Sequence, residues 1–204
     1  MLQLILASQS PRRHFFLKEK GFVFETFSLE ISEILDENLS IEAAIEDLAR
    51  QKSQALVESD LLPAGPKYLI LSADTVVYHQ GDVLCKPKDQ EDAFRLLKML
   101  SGDRHQVITA FCLWNTDEDR FVLRHQISSV LFRDLSDKEI QDYIATGDPM
   151  DKAGSYGIQS EGRHFVKEFT GTLDNIAGLP VDFVEKVMTE QGWHVRKDYA
   201  VTEK

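Results

Sequence analysis

Leu2-Gln3-Leu4-Ile5-Leu6-Ala7 runs without a break into Ser8-Gln9-Ser10-Pro11-Arg12-Arg13. The first half reads as a buried strand and the second as the start of a helix. Ser10 suits the N-cap, and Pro11 at the first helical position lacks an N–H that would be unpaired there anyway. The helix is expected to run to about Lys20 and to stop at Gly21. A helix N-terminus presents free backbone N–H groups and a partial positive charge, which suits an anion. Arg12 and Arg13 are unfavourable in the first turn of an isolated helix, because the macrodipole prefers carboxylates there. Either both are solvated or paired with nearby glutamates, or a bound phosphate offsets their cost. The preceding strand, the serines and the proline favour the phosphate.

The rest of the chain continues the alternation of strands and helices. Residues 22–29 (FVFETFSL) predict a second strand, and Ser40 caps a long helix to about Ser59. Asp60 to Lys67, with Pro63, Gly65 and Pro66, reads as a linker. Tyr68 to His79 predicts a strand, which Gln80-Gly81-Asp82 turns into Val83 to Lys86. Asp89 caps a helix ending near Leu100. His105 to Asn115 and Phe121 to Asp134 predict two long strands. Ser136 and Glu139 form a capping box for a helix that ends at Gly147. Asp148 to Gly162 reads as a glycine-rich loop, His164 to Phe169 as a short strand, and Pro180 opens a last helix to about Gly192. The fold class is α/β around a mixed sheet.

The 204 residues are enough for one sizeable core, and 43% hydrophobic with 28% charged residues is ordinary for a globular chain. A net charge of −11 argues against nucleic acid or a membrane surface as partner, since those need a basic field. A small polyanion remains compatible if Arg12, Arg13, Lys86, Lys88 and Lys152 concentrate positive charge locally. Cys85 and Cys112 have no metal-ligand or redox spacing. No apolar run is long enough to span a membrane, and Met1 to Ala7 is too short and uncharged for a signal peptide, so a cytoplasmic location is expected.

Three polar features stand in apolar surroundings. Lys52 continues the row Ile41, Ile45, Leu48, Leu56, so its ammonium must snorkel, pair, or point into a polar cleft. Asp74 follows the apolar run from Leu69. It is expensive there unless paired, hydrogen-bonded or bound to a metal, and it suits either a divalent cation or a proton from an attacking water. Glu30 or Glu33 offers a second carboxylate, and Lys86 an ammonium after the hairpin; all three also read as surface charges. Glycines 154 and 157 in residues 151–159 (DKAGSYGIQ) permit close backbone approach. Gln159 carries a donor and an acceptor that match N3–H and O4 of uracil or thymine, though glutamine is as often merely exposed.

These residues together resemble the Maf family of nucleoside triphosphate pyrophosphatases. The matching pieces are residues 6–13 (LASQSPRR), Glu33, 48–52 (LARQK), 72–75 (SADT), 86–87 (KP), 100–102 (LSG), 106–110 (QVITA), 151–159 (DKAGSYGIQ) and 178–180 (GLP). The resemblance implies a two-lobed fold around a mixed twisted sheet, related to the inosine triphosphatase type. It implies a single domain over residues 1–204 with a cleft between its lobes, and a homodimer. It implies hydrolysis of a nucleoside triphosphate to the monophosphate and pyrophosphate with Mg²⁺ or Mn²⁺, as nucleotide-pool sanitation. Asp74 is then the proton acceptor, Glu33 and Asp74 are metal carboxylates, and Ser8, Ser10, Arg13, Lys52 and Lys86 contact phosphate. Arg12, Thr75 and Gln159 select the substrate, and residues 11–13 with 151–159 resemble the dTTP/UTP branch. Two segments depart from the family pattern, Ser160-Glu161-Gly162 after Gln159 and residues 171–177 (GTLDNIA) before Gly178. The competing expectation is a non-catalytic nucleotide-binding regulator of cell division.

Overall fold

A computed structural model describes residues 1–198 of the chain. They form six α-helices and one seven-stranded mixed sheet in the order β2-β1-β3-β5-β6-β7, with β4 paired to β3. The chain divides into two compact units. One comprises residues 1–74, 110–125 and 178 onward, the other residues 75–109 and 126–177.

In the first unit, β1 (Gln3–Leu6) runs into α1 (Pro11–Glu19) and is flanked in parallel by β2 (Phe24–Thr26) and β3 (Tyr68–His79). Both faces of β1 are covered from Leu4 onward, which is why Leu4-Ile5-Leu6 is a continuous apolar run. Leu4 and Leu6 pack with Leu69 and Leu71 against Leu17 of α1 and against Val184, Val187 and Met188 of a later helix. Ile5 and Ile70 face the other way, onto Leu56 of α2 (Ile41–Val57). Ser40 caps α2 as expected, its hydroxyl accepting from the Ala43 N–H at 3.3 Å.

The expected second strand over residues 22–29 contracts to three residues. Phe22 bridges Lys197 instead, and pairing on the other side stops where β1, only four residues long, turns into α1. Ser10 does occupy the N-cap of α1, but its hydroxyl makes no cap bond.

The second unit begins inside β3. Gln80 and Gly81 both have positive φ (50° and 100°), the two-residue turn that suits the twist of a hairpin, and β4 (Asp82–Leu84) returns antiparallel. Next come α3 (Gln90–Leu100), the long strands β5 (Arg104–Asn115) and β6 (Arg120–Phe132), and α4 (Asp137–Ala145) with both halves of its capping box formed. The glycine-rich loop is organised as three short 3-10 turns, Asp148–Asp151, Ala153–Ser155 and Glu161–Phe165, before β7 (Val166–Thr170). A five-residue helix, α5 (Leu173–Ala177), follows where the sequence predicts no element, and α6 (Val181–Gln191) closes the order. No helix among the described residues is long and apolar enough to cross a membrane.

Candidate active site

The chain leaves β1 at Leu6, and Ala7 still donates to the Leu71 carbonyl at 2.7 Å. Ser8 is buried, and its hydroxyl oxygen accepts from the Ser10 N–H at 3.2 Å and from Arg13 Nη1 at 3.0 Å. Both acceptor positions are thus used to shape the turn, and the Ser8 O–H proton remains to be donated. Arg13 Nε donates to the Gly178 carbonyl at 2.8 Å, tying the start of α1 to the segment that opens α6. Burial lowers the pKa of the Arg13 guanidinium from its ordinary value; Asp74 and Glu33 act against this and Arg12 adds to it. The side chain stays charged, since arginine is not deprotonated in proteins.

Lys52 is placed by two serines. Ser72 on β3 donates to the Ala49 carbonyl at 2.6 Å, so Ser53 donates to Ser72 across 2.7 Å, and this pins α2 to the strand. One residue along, the Lys52 ammonium meets Asp74 Oδ1 at 2.7 Å and Glu33 Oε1 at 2.6 Å. Lys52 and Asp74 are nearly enclosed, with side chains 13% and 15% exposed, whereas Glu33 is 52% exposed. Of the outcomes open to a lysine on an apolar stripe, pairing is the one adopted. Glu33, not Glu30, is the second carboxylate on the Lys52 ammonium.

The first unit therefore brings together Ser8, Ser10, Arg12, Arg13, Glu33, Lys52 and Asp74. Thr75, Lys86 and Gln159 belong to the second unit. Lys86 and Gln159 are both exposed. Lys152, a candidate source of local positive charge by sequence, is committed elsewhere: its ammonium binds Asp148 Oδ1 at 3.0 Å and Asp151 Oδ1 at 2.6 Å. Asp148 in turn accepts from Tyr143 at 2.5 Å and Ser160 at 2.6 Å, so the carboxylate staples the loop to α4. Gly154 has φ +65°, and a Cβ there would lie 2.9 Å from Val77 Cγ2, so this loop sits directly on β3 of its own unit.

The loop is also anchored by Tyr156, whose hydroxyl bonds His105 Nε2 at 2.8 Å. Burial raises the Tyr156 pKa, so the phenol donates and the imidazole accepts. Burial, with His79 adding, lowers His105 from 6.5 to about 3. Between those values the unfolded chain binds a proton that the folded chain refuses, so stability falls as pH drops below 6.5. From pH 6.5 to 4.5 this site is expected to cost about 2–3 kcal/mol, on the basis of ~1.4 kcal/mol per pH unit. Thermal unfolding of the wild type and of His105→Gln over that range checks it; equal slopes for the two would remove the assignment.

Three residues carry no role in the sequence reading. Ser72 and Ser53 position Lys52. Thr109, inside the matched residues 106–110, bonds Thr75 at 3.0 Å. A hydroxyl inside an apolar run is the signal that Ser72 and Thr109 leave.

An open mixed sheet of seven strands with six helices defines an α/β protein, and its polar side chains gather where a parallel strand ends and a helix begins. The chain belongs to the Maf family: the model described as Maf-like protein matches residues 3–191. It is 43% identical over 187 residues to the dTTP/UTP pyrophosphatase of Bdellovibrio bacteriovorus, covering 92% of this chain and 97% of the relative. The proteins of the same name from Desulfitobacterium hafniense (41% over 190 residues; 93% and 85% covered) and Geobacillus (39% over 193; 95% and 100%) are similarly close.

Proposed function

We propose that this chain hydrolyses nucleoside triphosphates, UTP and dTTP foremost, to the monophosphate and pyrophosphate. The observation that carries the reading is the Lys52 ammonium held by Asp74 and Glu33 in the unit that also holds Arg12, Arg13, Ser8 and Ser10. The relatives named above support it, and their match spans both units, which supports a single functional domain.

Asp74 takes a proton from water as its oxygen attacks the α-phosphorus, and the bond to the bridging oxygen breaks to release pyrophosphate. Arg12, Arg13 and Lys52 meet the phosphate charge, with Lys86 as a further cation, and Ser8 and Ser10 donate their hydroxyl protons. The carboxylates also fit a divalent ion. Asp74 Oδ1 and Glu33 Oε1 already share one cation, the Lys52 ammonium, and the same two oxygens would hold a divalent ion in its place once Lys52 turns to phosphate. Among the described residues no group of three or more His, Cys, Asp or Glu is placed to hold a metal. Two hard oxygens completed by phosphate and water suit Mg²⁺ or Mn²⁺. Such an ion would neutralise phosphate charge and make the phosphorus more electrophilic. The family resemblance supports a homodimer.

Incubation with a panel of nucleotides and Mg²⁺ or Mn²⁺ should yield monophosphate and pyrophosphate; orthophosphate alone, or binding without turnover, would overturn the reading. Arg12, Thr75 and Gln159 choose the nucleotide. Gln159→Ala should reduce the preference for UTP over CTP by about tenfold, the worth of one good hydrogen bond. An unchanged ratio would take Gln159 out of base selection.

A further inference from the structure

The Lys52 ammonium takes up the two oxygens that suit a divalent ion. It lies 2.7 Å from Asp74 Oδ1 and 2.6 Å from Glu33 Oε1. Both oxygens are hard donors of the kind Mg²⁺ and Mn²⁺ prefer. An ammonium and a divalent ion cannot share them, because both need the same lone pairs and like charges so close repel.

The groups around this position differ in their freedom to yield. Asp74 follows Ser72 and Ala73 within β3, and both of those are fully buried. The backbone at Lys52 is held as well, since the buried Ser53 and Ser72 join α2 to β3 at 2.7 Å. Arg13 is a fixed cation, tied to Ser8 at 3.0 Å and to the Gly178 carbonyl at 2.8 Å. What can turn is the four-carbon stem of Lys52, whose ammonium carries three rotatable donors. Glu33 can adjust too, being half exposed and set in residues 27–40, which form neither helix nor strand.

We propose that Lys52 is a tethered counter-ion that couples the metal to the nucleotide: its ammonium holds the metal's two oxygens until phosphate draws it away, so the divalent ion binds firmly only together with the nucleotide. This rests on the pyrophosphatase reading for the identity of the phosphate ligand. A phosphate oxygen offers the ammonium a charge-assisted hydrogen bond in exchange for those it gives up. Coupling of this kind is reciprocal, so the factor by which phosphate tightens the ion is the factor by which the ion tightens phosphate. Removing a charged residue from beside a metal site ordinarily leaves the ion no better held. Here the loss of Lys52 should tighten it.

The test measures Mn²⁺ binding without nucleotide, by calorimetry and by electron paramagnetic resonance of the free ion, with melting temperatures alongside. Lys52→Met should bind Mn²⁺ about tenfold more tightly than wild type, within the usual range of coupling between two sites. Lys52→Gln should do the same; it is neutral yet keeps N–H donors for the carboxylates, so it serves if the methionine variant does not fold. Lys52→Arg keeps the positive charge and should stay within about threefold of wild type, below the smallest coupling of this kind. Adding Asp74→Asn to either neutral variant should abolish the gain. Mn²⁺ should also raise the melting temperature of the neutral variants more than that of wild type. With UTP bridged by a methylene between its α- and β-phosphates, Mn²⁺ affinity should rise by a larger factor in wild type than in the neutral variants. Chelation by the nucleotide itself is common to all and cancels. Neutral variants that bind Mn²⁺ no more tightly than wild type, a gain that survives Asp74→Asn, or equal factors with the analogue would overturn the proposal. Product analysis of the wild type with UTP keeps the two readings apart. No pyrophosphate, with the Mn²⁺ gain in place, would overturn hydrolysis and leave the exchange at Lys52 standing; pyrophosphate without the gain would overturn the exchange alone.

Discussion

Asp74→Asn should lower kcat with UTP or dTTP by ~10²–10⁴, the range of general-base contributions, while the melting temperature stays within a few degrees of wild type. The amide keeps an oxygen that accepts from the Lys52 ammonium, now 2.7 Å from Asp74 Oδ1, so the local geometry survives. What disappears is the negative charge and the basicity. Lys52 keeps Glu33 as an ionic partner at 2.6 Å, so no buried cation is left alone. KM should move much less than kcat, because the phosphate-binding cations are untouched. Turnover near the wild-type level with pyrophosphate as product would remove Asp74 as the proton acceptor.

Phe111→Ala should destabilise the chain by about 3–5 kcal/mol, the cost of emptying a fully buried aromatic site. Phe111 has no exposed surface and meets Phe183 edge-on, with ring centroids 5.5 Å apart. It shares one core with Leu69, Leu71 and Ala73, the residues of β3 that lead to Asp74. A chain of this size loses roughly 2–4 °C per kcal/mol, so the melting temperature should fall by roughly 6–20 °C. Phe121, 40% exposed, is the control and should cost far less on the same truncation. Equal, small effects at both positions would show that the core is not where burial places it.

Much of this arrangement is legible in the amino-acid sequence wherever its cause is local. Ser40, Asp89 and the pair Ser136–Glu139 announce their helices because capping is settled within one turn. The period of residues 41–56 puts Lys52 on an apolar stripe, and the apolar run before Asp74 marks it as expensive. What periodicity does not contain is the partner. Glu33 is in a loop, and Ser8, Arg13 and Gly178 meet across most of the chain. Lys152 reads as an available cation because a segment read as a loop has no fixed i, i+4 contact, and the short 3-10 turns that bring its ammonium to Asp148 and Asp151 have no period to show them. The length of β2 depends on how early β1 leaves the sheet. Helix α5 is too short for a period. The Thr75–Thr109 contact joins two segments that share no local pattern.

The early departure of β1 bears on how the protein behaves in a crowded solution. β1 pairs with β3 only as far as Leu71, and the next residues of β3, Ser72 and Ala73, are fully buried. A strand that outruns its neighbour is a template for another chain's strand, the usual first step of aggregation. Here Asp74 follows the buried pair, with the Lys52 ammonium bound to it and Glu33 alongside. Fixed charges beside a strand repel an incoming one and would have to be stripped of water for it to dock. The carboxylate assigned to chemistry thus doubles as a guard on the sheet. Variants that neutralise it should show their second defect in the centrifuge, as slow self-association at high protein concentration.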